Sequence, residues 1–173
     1  EGRVDSVAQH LFPAMAKAHC RTIMFGIESG SQKILDRLKK GQTLAEIESA
    51  VAAAKKGGIE IVHGFFVVGI PDETEEDLRQ TFRFASKIRI DSFGINRMCV
   101  YRGTPLWKEY VDRKLVDDAK DWYKYYKCTS IDPTTLPGEE VHRIRQEELR
   151  KLILYKIRHY PMQTFRLLKR FTK

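Results

Sequence analysis

The sequence is poor in cysteine. Its three cysteines, Cys20, Cys99 and Cys128, are far apart, and no two of them form a C-x-x-C pair. This spacing argues against a disulfide scaffold and against a local metal-binding knuckle. We therefore expect three free thiols, buried or half-buried, of the kind that a reducing cytoplasm maintains.

Targeting and membrane signals are also missing. No apolar run is long enough to cross a membrane, and no secretory signal is present. The chain of 173 residues begins at Glu1 without a methionine, which indicates an excised piece of a longer protein. With 42% hydrophobic and 31% charged residues, the composition is that of one globular, cytoplasmic domain and excludes a disordered chain.

The positive charge is concentrated towards the C-terminus. The formal net charge is +8, and residues 141–173 alone hold ten Lys or Arg against two Glu. The rest of the chain therefore has equal numbers of basic and acidic side chains. A surplus confined to one end indicates a local partner surface, for which RNA and an anionic membrane are two candidates. Charge reversal at Arg166, Lys169 and Arg170 should weaken binding to either partner. The alternative is a solvated helix that only covers the fold.

Apolar runs alternate with helical patterns along the first hundred residues. Strands are predicted over 21–27, 59–68 and 92–101, and the run 65–68 is typical of a strand covered on both faces. This order favours parallel strands with right-handed crossovers, and therefore an α/β fold. The spacing of Thr43 with Glu46, and the acidic run after Thr74, predict helix caps. Further helices are predicted over 12–19, 32–40 and 139–160, with Pro161 as a break before 162–171.

Each predicted strand ends in a turn rich in polar and small residues, at 28–31, 68–74 and 96–105. Because parallel strands place their C-terminal ends on one side of a sheet, these turns should build a single site. Structural alternatives stay open for the polar groups near these turns. They are a helix cap for Glu28 or Ser31, a turn and cap for Asp72-Glu73-Thr74, and a satisfied core histidine for His63.

Three stretches in this order carry a resemblance to a known family: "FGIESGSQKILDRLKKGQT", "GFFVVGIPDETEEDLRQTFRFA" and "INRMCVYRGTPLW". The chain resembles the second half of a radical S-adenosylmethionine (SAM) enzyme. It is most similar to the cobalamin-binding subgroup that includes the anaerobic magnesium-protoporphyrin ester cyclases. The opening "EGRVD" and the tail "LILYKIRHYPMQTFRLLKRF" resemble the same subgroup.

The resemblance implies a fold and a chemistry. The fold is a partial (β/α) TIM-like barrel of parallel strands over 1–106, with an irregular segment and basic helices over 107–173. The full-length enzyme would use a [4Fe–4S] cluster to cleave SAM to a 5′-deoxyadenosyl radical, and would abstract hydrogen from a small-molecule substrate. A cobalamin would be held by a further N-terminal domain.

The resemblance also assigns roles to single residues. Glu28 would be catalytic, facing SAM and substrate together with Ser29, and Lys40 (or Lys39) would lie near the methionine carboxylate of SAM. The adenine would lie against the ends of two strands, at Val67, Val68, Gly69, Val100 and Tyr101. The family has glycine where this chain has Asp72, so the turn there is expected to differ.

One family motif is absent, the C-x-x-x-C-x-x-C loop that holds the cluster. We therefore expect no metal ligand in this chain, and we expect the chain alone to bind no cluster and to leave SAM intact. Its partners would be the missing N-terminal half or, through the exposed sheet edge, a second copy. A tRNA-directed methylthiotransferase-like enzyme or nucleic-acid-binding module, and a non-catalytic fragment, are the alternatives. A cytoplasmic protein with an affinity for membranes is expected.

Overall fold

The computed structural model describes residues 2–6, 8–120 and 136–161, and in this part of the chain three strands form a parallel sheet. They are β1 (Thr22–Glu28), β2 (Ile61–Val68) and β3 (Ser92–Arg97), hydrogen-bonded in the order β1-β2-β3. A parallel bridge joins Gly2 to Phe25, as expected for the end of a preceding strand. The predicted α/β fold with parallel strands is thus confirmed.

Helices precede, connect and follow the three strands. A short 3₁₀ turn at Gln9–Leu11 leads into the first helix. The helices are α1 (Phe12–Lys17), α2 (Gln32–Arg37), α3 (Leu44–Lys56), α4 (Glu75–Lys87), α5 (Pro105–Asp112) and α6 (Gly138–His159). Both predicted helix caps are present, and each is a capping box. Thr43 accepts from the Glu46 amide at the start of α3, and Thr74 accepts from the Asp77 amide at the start of α4.

The two faces of the sheet have different surroundings. One face is packed into the main core beneath the helices and carries Ile23, Phe25 and Ile27 of β1 and Val62, Phe66 and Val68 of β2. The opposite side, which we call the open face, carries Met24, Gly26 and Glu28 of β1, His63, Phe65 and Val67 of β2, and Asn96 of β3. Burial therefore alternates along β2, and the expectation that both of its faces are covered is wrong for this chain.

Helix α6 packs against α4 and along the outer edge of β3. Its buried side carries Val141, Ile144 and Leu152, and Arg145 donates to the Ile95 carbonyl at 2.7 and 3.0 Å. Arg79 of α4 forms an ion pair with Glu148 of α6. The basic C-terminal helix thus covers the sheet edge with one side, as one of the alternatives for it expected.

Three predicted elements end earlier than the sequence indicated. Strand β3 ends at Arg97 rather than at 101, α1 at Lys17 rather than at 19, and α2 at Arg37 rather than at 40. His19 and Lys39 adopt the left-handed backbone region, at φ 63° and 52°, and this conformation ends both helices. The predicted continuation at 162–171 lies outside the described residues, and the domain boundary at 106 stays a prediction.

The expectation of three free thiols also needs correction. Cys20 is a free, half-buried cysteine, but Cys99 is disulfide-bonded. Cys128 lies outside the described residues. None of the helices described in the structure is both long enough and apolar enough to cross a membrane.

A buried lysine of α6 closes the end of α4. Lys156 is 7% exposed, and its ammonium donates to the Ile88 carbonyl at 2.8 Å and to the Ile90 carbonyl at 3.3 Å. Both carbonyls lie just beyond Lys87, the last residue of α4, and a cation near a helix C-terminus is favourable. Burial removes the Lys156 ammonium from water and disfavours its charged form, so the pKa of Lys156 falls to about 8.

Lys156 should make the stability of the protein depend on alkaline pH. In the unfolded chain its pKa is the ordinary 10.5, so between about pH 8 and 10.5 the unfolded chain holds a proton that the folded chain has lost. The free energy of unfolding should rise across that window by on the order of 3 kcal/mol. Urea denaturation from pH 7 to 10 should show a shallower rise for Lys156→Met, whereas Lys56→Met, at an exposed position of α3, should keep the original slope. Equal slopes for both variants would contradict this role.

Candidate functional site

The C-terminal ends of the three strands lie side by side. Strand β1 ends at Glu28, β2 at Val68 and β3 at Arg97, and the amide of Met98 still donates to the Val68 carbonyl at 2.8 Å. In parallel α/β folds, this edge of the sheet is where ligand-binding groups are placed. The three polar turns are therefore neighbours, as expected from the sequence.

Glu28 reaches this edge through an irregular backbone. The register of β1 against β2 shifts between Gly26 and Glu28, and Glu28 has φ 68°. A bulge of this kind re-aims the side chain that follows it. The left-handed region is unusual for a residue other than glycine, and such backbone conformations occur preferentially at functional sites.

The carboxylate of Glu28 is paired with Lys40. The distance between Lys40 Nζ and Glu28 Oε1 is 2.8 Å, and the side chains are only 18% and 22% exposed. Lys40 lies in the turn after α2, between Lys39 at φ 52° and Gly41 at φ 64°. The pair thus brings together two site residues twelve positions apart, and leaves the second carboxylate oxygen and the remaining ammonium protons for a ligand.

Gly26 provides the space in which this ion pair lies. A Cβ atom at Gly26 would stand 2.9 Å from Glu28 Oε1 and 3.6 Å from Lys40 Nζ. Since real Cβ atoms essentially never approach an oxygen within 3.0 Å, a side chain at position 26 would displace the carboxylate. The glycine before the glutamate is therefore part of the site, which sequence reasoning missed.

Two further residues support the pair and were also missed. Gln42 is 3% exposed, and its amide nitrogen lies 3.4 Å from the carbonyl oxygens of both Gly26 and Ile27, at the bulge. Arg3 donates to the Lys40 carbonyl and is itself paired with Asp5 at 2.8 Å. Neither residue belongs to a strand-end turn, so no local signal in the sequence connects them with Glu28.

Ser29 faces away from the open face. It is fully buried, its hydroxyl lies 3.0 Å from Thr81 Oγ1 of α4, and it accepts from the Ser31 amide at 3.1 Å. The hydroxyl of Ser31, at the N-cap position of α2, donates to Asp77 at 2.8 Å instead of capping its own helix. Both hydroxyls hold the strand end against α4, and the role of Ser29 towards SAM stays a prediction.

The turn after β2 is held by a buried acid. Glu73 is fully buried, and one of its carboxylate oxygens accepts from the amides of Gly69, at 2.7 Å, and Ile70, at 3.3 Å. Burial raises the pKa of Glu73 to about 7. The interpretation of 72–74 as turn and cap residues is confirmed for Thr74, which caps α4. Glu73 in addition holds the backbone of Gly69 and Ile70 from a buried position.

Asp72 adopts a backbone conformation that is typical of glycine. Its φ is 63°, in the left-handed region that glycine adopts without cost. The backbone at this position is therefore of the kind that the family's glycine allows, while the carboxylate is added at the surface. It pairs there with Arg37 at 3.3 Å and faces Arg113 at 3.8 Å.

The residues expected near adenine fall into two groups. Val67, on the open face, is half-buried beside Asn96, and Gly69 has φ 79° with no atom within 4 Å of the place a Cβ would take. Val68 points into the main core, and Val100 packs against Trp107 and Tyr110 in a second, smaller cluster. Tyr101 is 56% exposed. Val67, Gly69 and Tyr101 are thus open to a ligand, while the other two side chains serve packing.

A cavity of about 370 Å³ lies beside these turns. Its lining includes Arg37, Lys39, Ile70, Met98, Leu106 and Glu109, and Arg37 is paired with Glu109 at 2.6 Å. Arg37, Met98, Leu106 and Glu109 were not recognised as neighbours from the sequence, because the helices that carry Arg37 and Glu109 are 72 positions apart.

His63 lies further down the open face, away from the strand ends. Its Nδ1 is 2.7 Å from Ser92 Oγ, and its ring packs edge-on against Phe65, with 4.4 Å between centroids. Burial lowers the pKa of His63. The interpretation as a core histidine holds for Nδ1, whereas Nε2 is buried without a hydrogen-bond partner among the described residues.

The described residues do not fit an iron–sulfur cluster. In this part of the chain, no three His, Cys, Asp or Glu residues are grouped closely enough to hold a metal ion. Cys20 precedes β1, at the end of the sheet opposite Glu28, and Cys99 is disulfide-bonded. No step of a reaction is therefore assigned to a cluster held by these residues.

Comparisons with known proteins agree with this arrangement. Residues 2–85 match the Radical SAM superfamily. An uncharacterized methyltransferase of Pyrococcus horikoshii is 35% identical over 151 residues, which cover 87% of this chain and 31% of that protein. A bacteriochlorophyllide d C-12(1)-methyltransferase of Chlorobaculum tepidum is 30% identical over 128 residues, covering 72% of this chain and 27% of that protein. The chain thus spans less than a third of the length of these relatives.

The fold is shared with a solved structure. Coproporphyrinogen III oxidase (HemN) from Escherichia coli, described as a radical SAM enzyme, superposes with a TM-score of 0.63 at 13% sequence identity, over 88% of this chain and 31% of that one. The expected partial TIM-like barrel is confirmed by this likeness, which concerns the fold alone.

The buried acid Glu73 predicts a pH dependence that can be measured. Its pKa is raised from 4.5 to about 7, so the stability it contributes is complete below about pH 4.5 and is lost as the pH rises through 7. The loss should be on the order of 3 kcal/mol. Because glutamine keeps the acceptor oxygen without titrating, Glu73→Gln should remove this fall in urea denaturation between pH 4.5 and 8. The exposed Glu60→Gln serves as control, and an unchanged pH profile in Glu73→Gln would refute the assignment.

Proposed function

We propose that this chain is part of an enzyme that binds SAM at the C-terminal edge of the sheet and uses it for radical chemistry, and the match of residues 2–85 to the Radical SAM superfamily supports this proposal. The iron–sulfur cluster would be held by cysteines outside the described residues. Activity is thus proposed for the longer protein, while this chain supplies half of the barrel and one wall of the SAM site.

The observation that carries the proposal is the Glu28–Lys40 ion pair. The methionine end of SAM has an ammonium and a carboxylate on the same carbon atom. Glu28 has one carboxylate oxygen outside the 2.8 Å contact with Lys40, and Lys40 has two further N–H groups. An ion pair with both partners partly exposed can therefore accept from the ammonium and donate to the carboxylate of one zwitterion, with charge-assisted hydrogen bonds in both directions.

The surroundings of the pair are suited to the rest of the cofactor. Phe65 and Val67 give the open face an apolar surface on which an adenine ring can pack, and Gly69 leaves the backbone approachable. The side chains of Val68 and Val100 are committed to cores, so only their backbones would contribute to adenine binding. Ser29 would act through the position of Glu28 rather than by contact.

When bound next to a reduced cluster, SAM supplies the oxidising equivalent for hydrogen abstraction from substrate. The described residues of this chain would orient the methionine end through Glu28 and Lys40. They would also exclude water from the open face with Phe65 and Val67. Glu28 stays the residue proposed to face both SAM and substrate.

A finer proposal concerns the substrate class. The relatives that match over most of this chain are described as methyltransferases, and one of them acts on bacteriochlorophyllide d, a small molecule. These matches support a small-molecule substrate for the longer protein. Cobalamin binding, a reaction like that of the magnesium-protoporphyrin ester cyclases, and action on tRNA stay predictions that none of the described residues tests.

The ion pair can be tested by SAM binding to the full-length protein. Both Glu28→Gln and Lys40→Met should weaken binding by about tenfold to a hundredfold, since one charge-assisted hydrogen bond is lost in each. Decarboxylated SAM, which lacks the group that Lys40 would bind, should be sensitive to Glu28→Gln only. Glu60→Gln, in an exposed ion pair with Arg21 at the opposite end of the sheet, is the control. Normal binding by both site variants would refute the proposal.

Gly26 offers a second test of the same site. A methyl group at this position should push the Glu28 carboxylate away from Lys40, so Gly26→Ala should lower the affinity for SAM about tenfold or more. Glu60→Gln, in its exposed ion pair with Arg21 at the opposite end of the sheet, is again the control. If both variants bind SAM alike, Gly26 does not position Glu28.

A further inference from the structure

Helix α6 has a second apolar side that the fold leaves uncovered. While Val141, Ile144 and Leu152 are buried against the body of the protein, Ile153, Leu154 and Ile157 are 43%, 67% and 48% exposed. We call these three residues the exposed stripe. Ile157 lies one helical turn after the adjacent pair Ile153 and Leu154, so the three side chains form one surface. The described part of the chain places no other element over them.

The charges around the exposed stripe have one sign. In the described part of this region, residues 149–161 contain four Lys or Arg and no Asp or Glu. Arg150, three residues before the stripe, and Arg158, directly after it, are exposed and have no ion-pair partner among the described residues. The two acidic residues that precede this region, Glu147 and Glu148, are already paired, with Lys151 at 2.6 and 3.0 Å and with Arg79. A partner of this surface must therefore be anionic.

The chemistry of the stripe decides between anionic partners. Aliphatic side chains offer RNA neither a stacking surface nor a hydrogen bond, and RNA-binding surfaces use aromatic and polar side chains instead. A second copy of the chain, packed stripe to stripe, would bring two groups of cations together with no acidic residue between them. An anionic lipid surface provides an apolar layer for the aliphatic side chains and, nearer to the water, phosphate groups for the arginines.

We propose that the C-terminal half of α6 docks on an anionic membrane surface. Ile153, Leu154 and Ile157 enter the boundary between headgroups and acyl chains, and Arg150 and Arg158 bind headgroup phosphates. The helix lies in the plane of the interface, since its buried side stays packed on α4. This inference is independent of the SAM site, which occupies the C-terminal edge of the sheet.

Vesicle co-sedimentation of the full-length protein tests the proposal. Vesicles of phosphatidylcholine mixed with phosphatidylglycerol should bind the protein at low salt, and vesicles of phosphatidylcholine alone should bind it at least tenfold more weakly. The double variant Leu154→Gln/Ile157→Gln should lower binding to the mixed vesicles about tenfold or more. Each of Arg150→Gln and Arg158→Gln should lower it about fivefold and reduce its salt dependence.

Matched controls separate the stripe from general effects. Leu11→Gln removes an apolar residue that is 47% exposed elsewhere, and Arg21→Gln removes an arginine whose side chain is 61% exposed at the other end of the sheet. Both should bind mixed vesicles as the unsubstituted protein does. Absence of binding to mixed vesicles at low salt, or full binding by the double variant, would overturn the proposal. RNA binding that competes with vesicles and is lost in Leu154→Gln/Ile157→Gln would do so as well.

Discussion

At Glu28 the backbone takes a left-handed conformation that a residue with a side chain adopts only where neighbouring contacts compensate for it. Two contacts do so here, the amide of Gln42 at the bulge and the ammonium of Lys40 on the carboxylate, and Gly26 leaves the space in which that carboxylate lies. In a regular strand position 28 would also face this side, like Met24 and Gly26, but the bulge and the left-handed backbone change the direction in which the carboxylate leaves the chain. The geometry of the candidate site thus depends on a local departure from strand regularity.

The polar residues at this edge of the sheet divide into two functional groups. Ser29, Ser31, Glu73 and Asp77 are buried and use their hydrogen bonds to fix backbone and helix ends. Glu28 and Lys40 are partly exposed and bond chiefly to each other. Glu28 and Ser29 are adjacent in the chain, so one short segment supplies both a residue that can meet a ligand and a residue that shapes the turn.

The sequence was informative where structure is determined locally. Apolar runs predicted three strands, and the spacing of Thr43 with Glu46 predicted a capping box, because these patterns arise within a few residues. The predicted end of β3, at residue 101, was wrong because a strand needs a neighbouring strand to which its backbone can hydrogen-bond. Strand β2 ends at Val68 opposite Arg97, and residues 98–101 continue the apolar pattern without a neighbouring strand to bond.

The same reasoning explains which site residues were found. Glu28 and Lys40 were identified through a family resemblance, but their contact was not, since it depends on the turn after α2. Gln42 and Arg3 act on the site from other segments, and nothing in their own surroundings in the sequence indicates it. The space above Gly26 is a property of folded neighbours, so a glycine there reads as an ordinary strand residue until the carboxylate is seen over it.

Arg3 gives the site a mechanical link to the segment before β1. It bonds to the carbonyl of Lys40 and to Asp5, and Gly2 beside it pairs with Phe25 in the middle of β1. Lys40 is therefore tethered to two strands at once: through its ammonium to the end of β1, and through its carbonyl to the strand end that precedes it. The Glu28–Lys40 distance therefore depends on the register of β1 against the segment that precedes it.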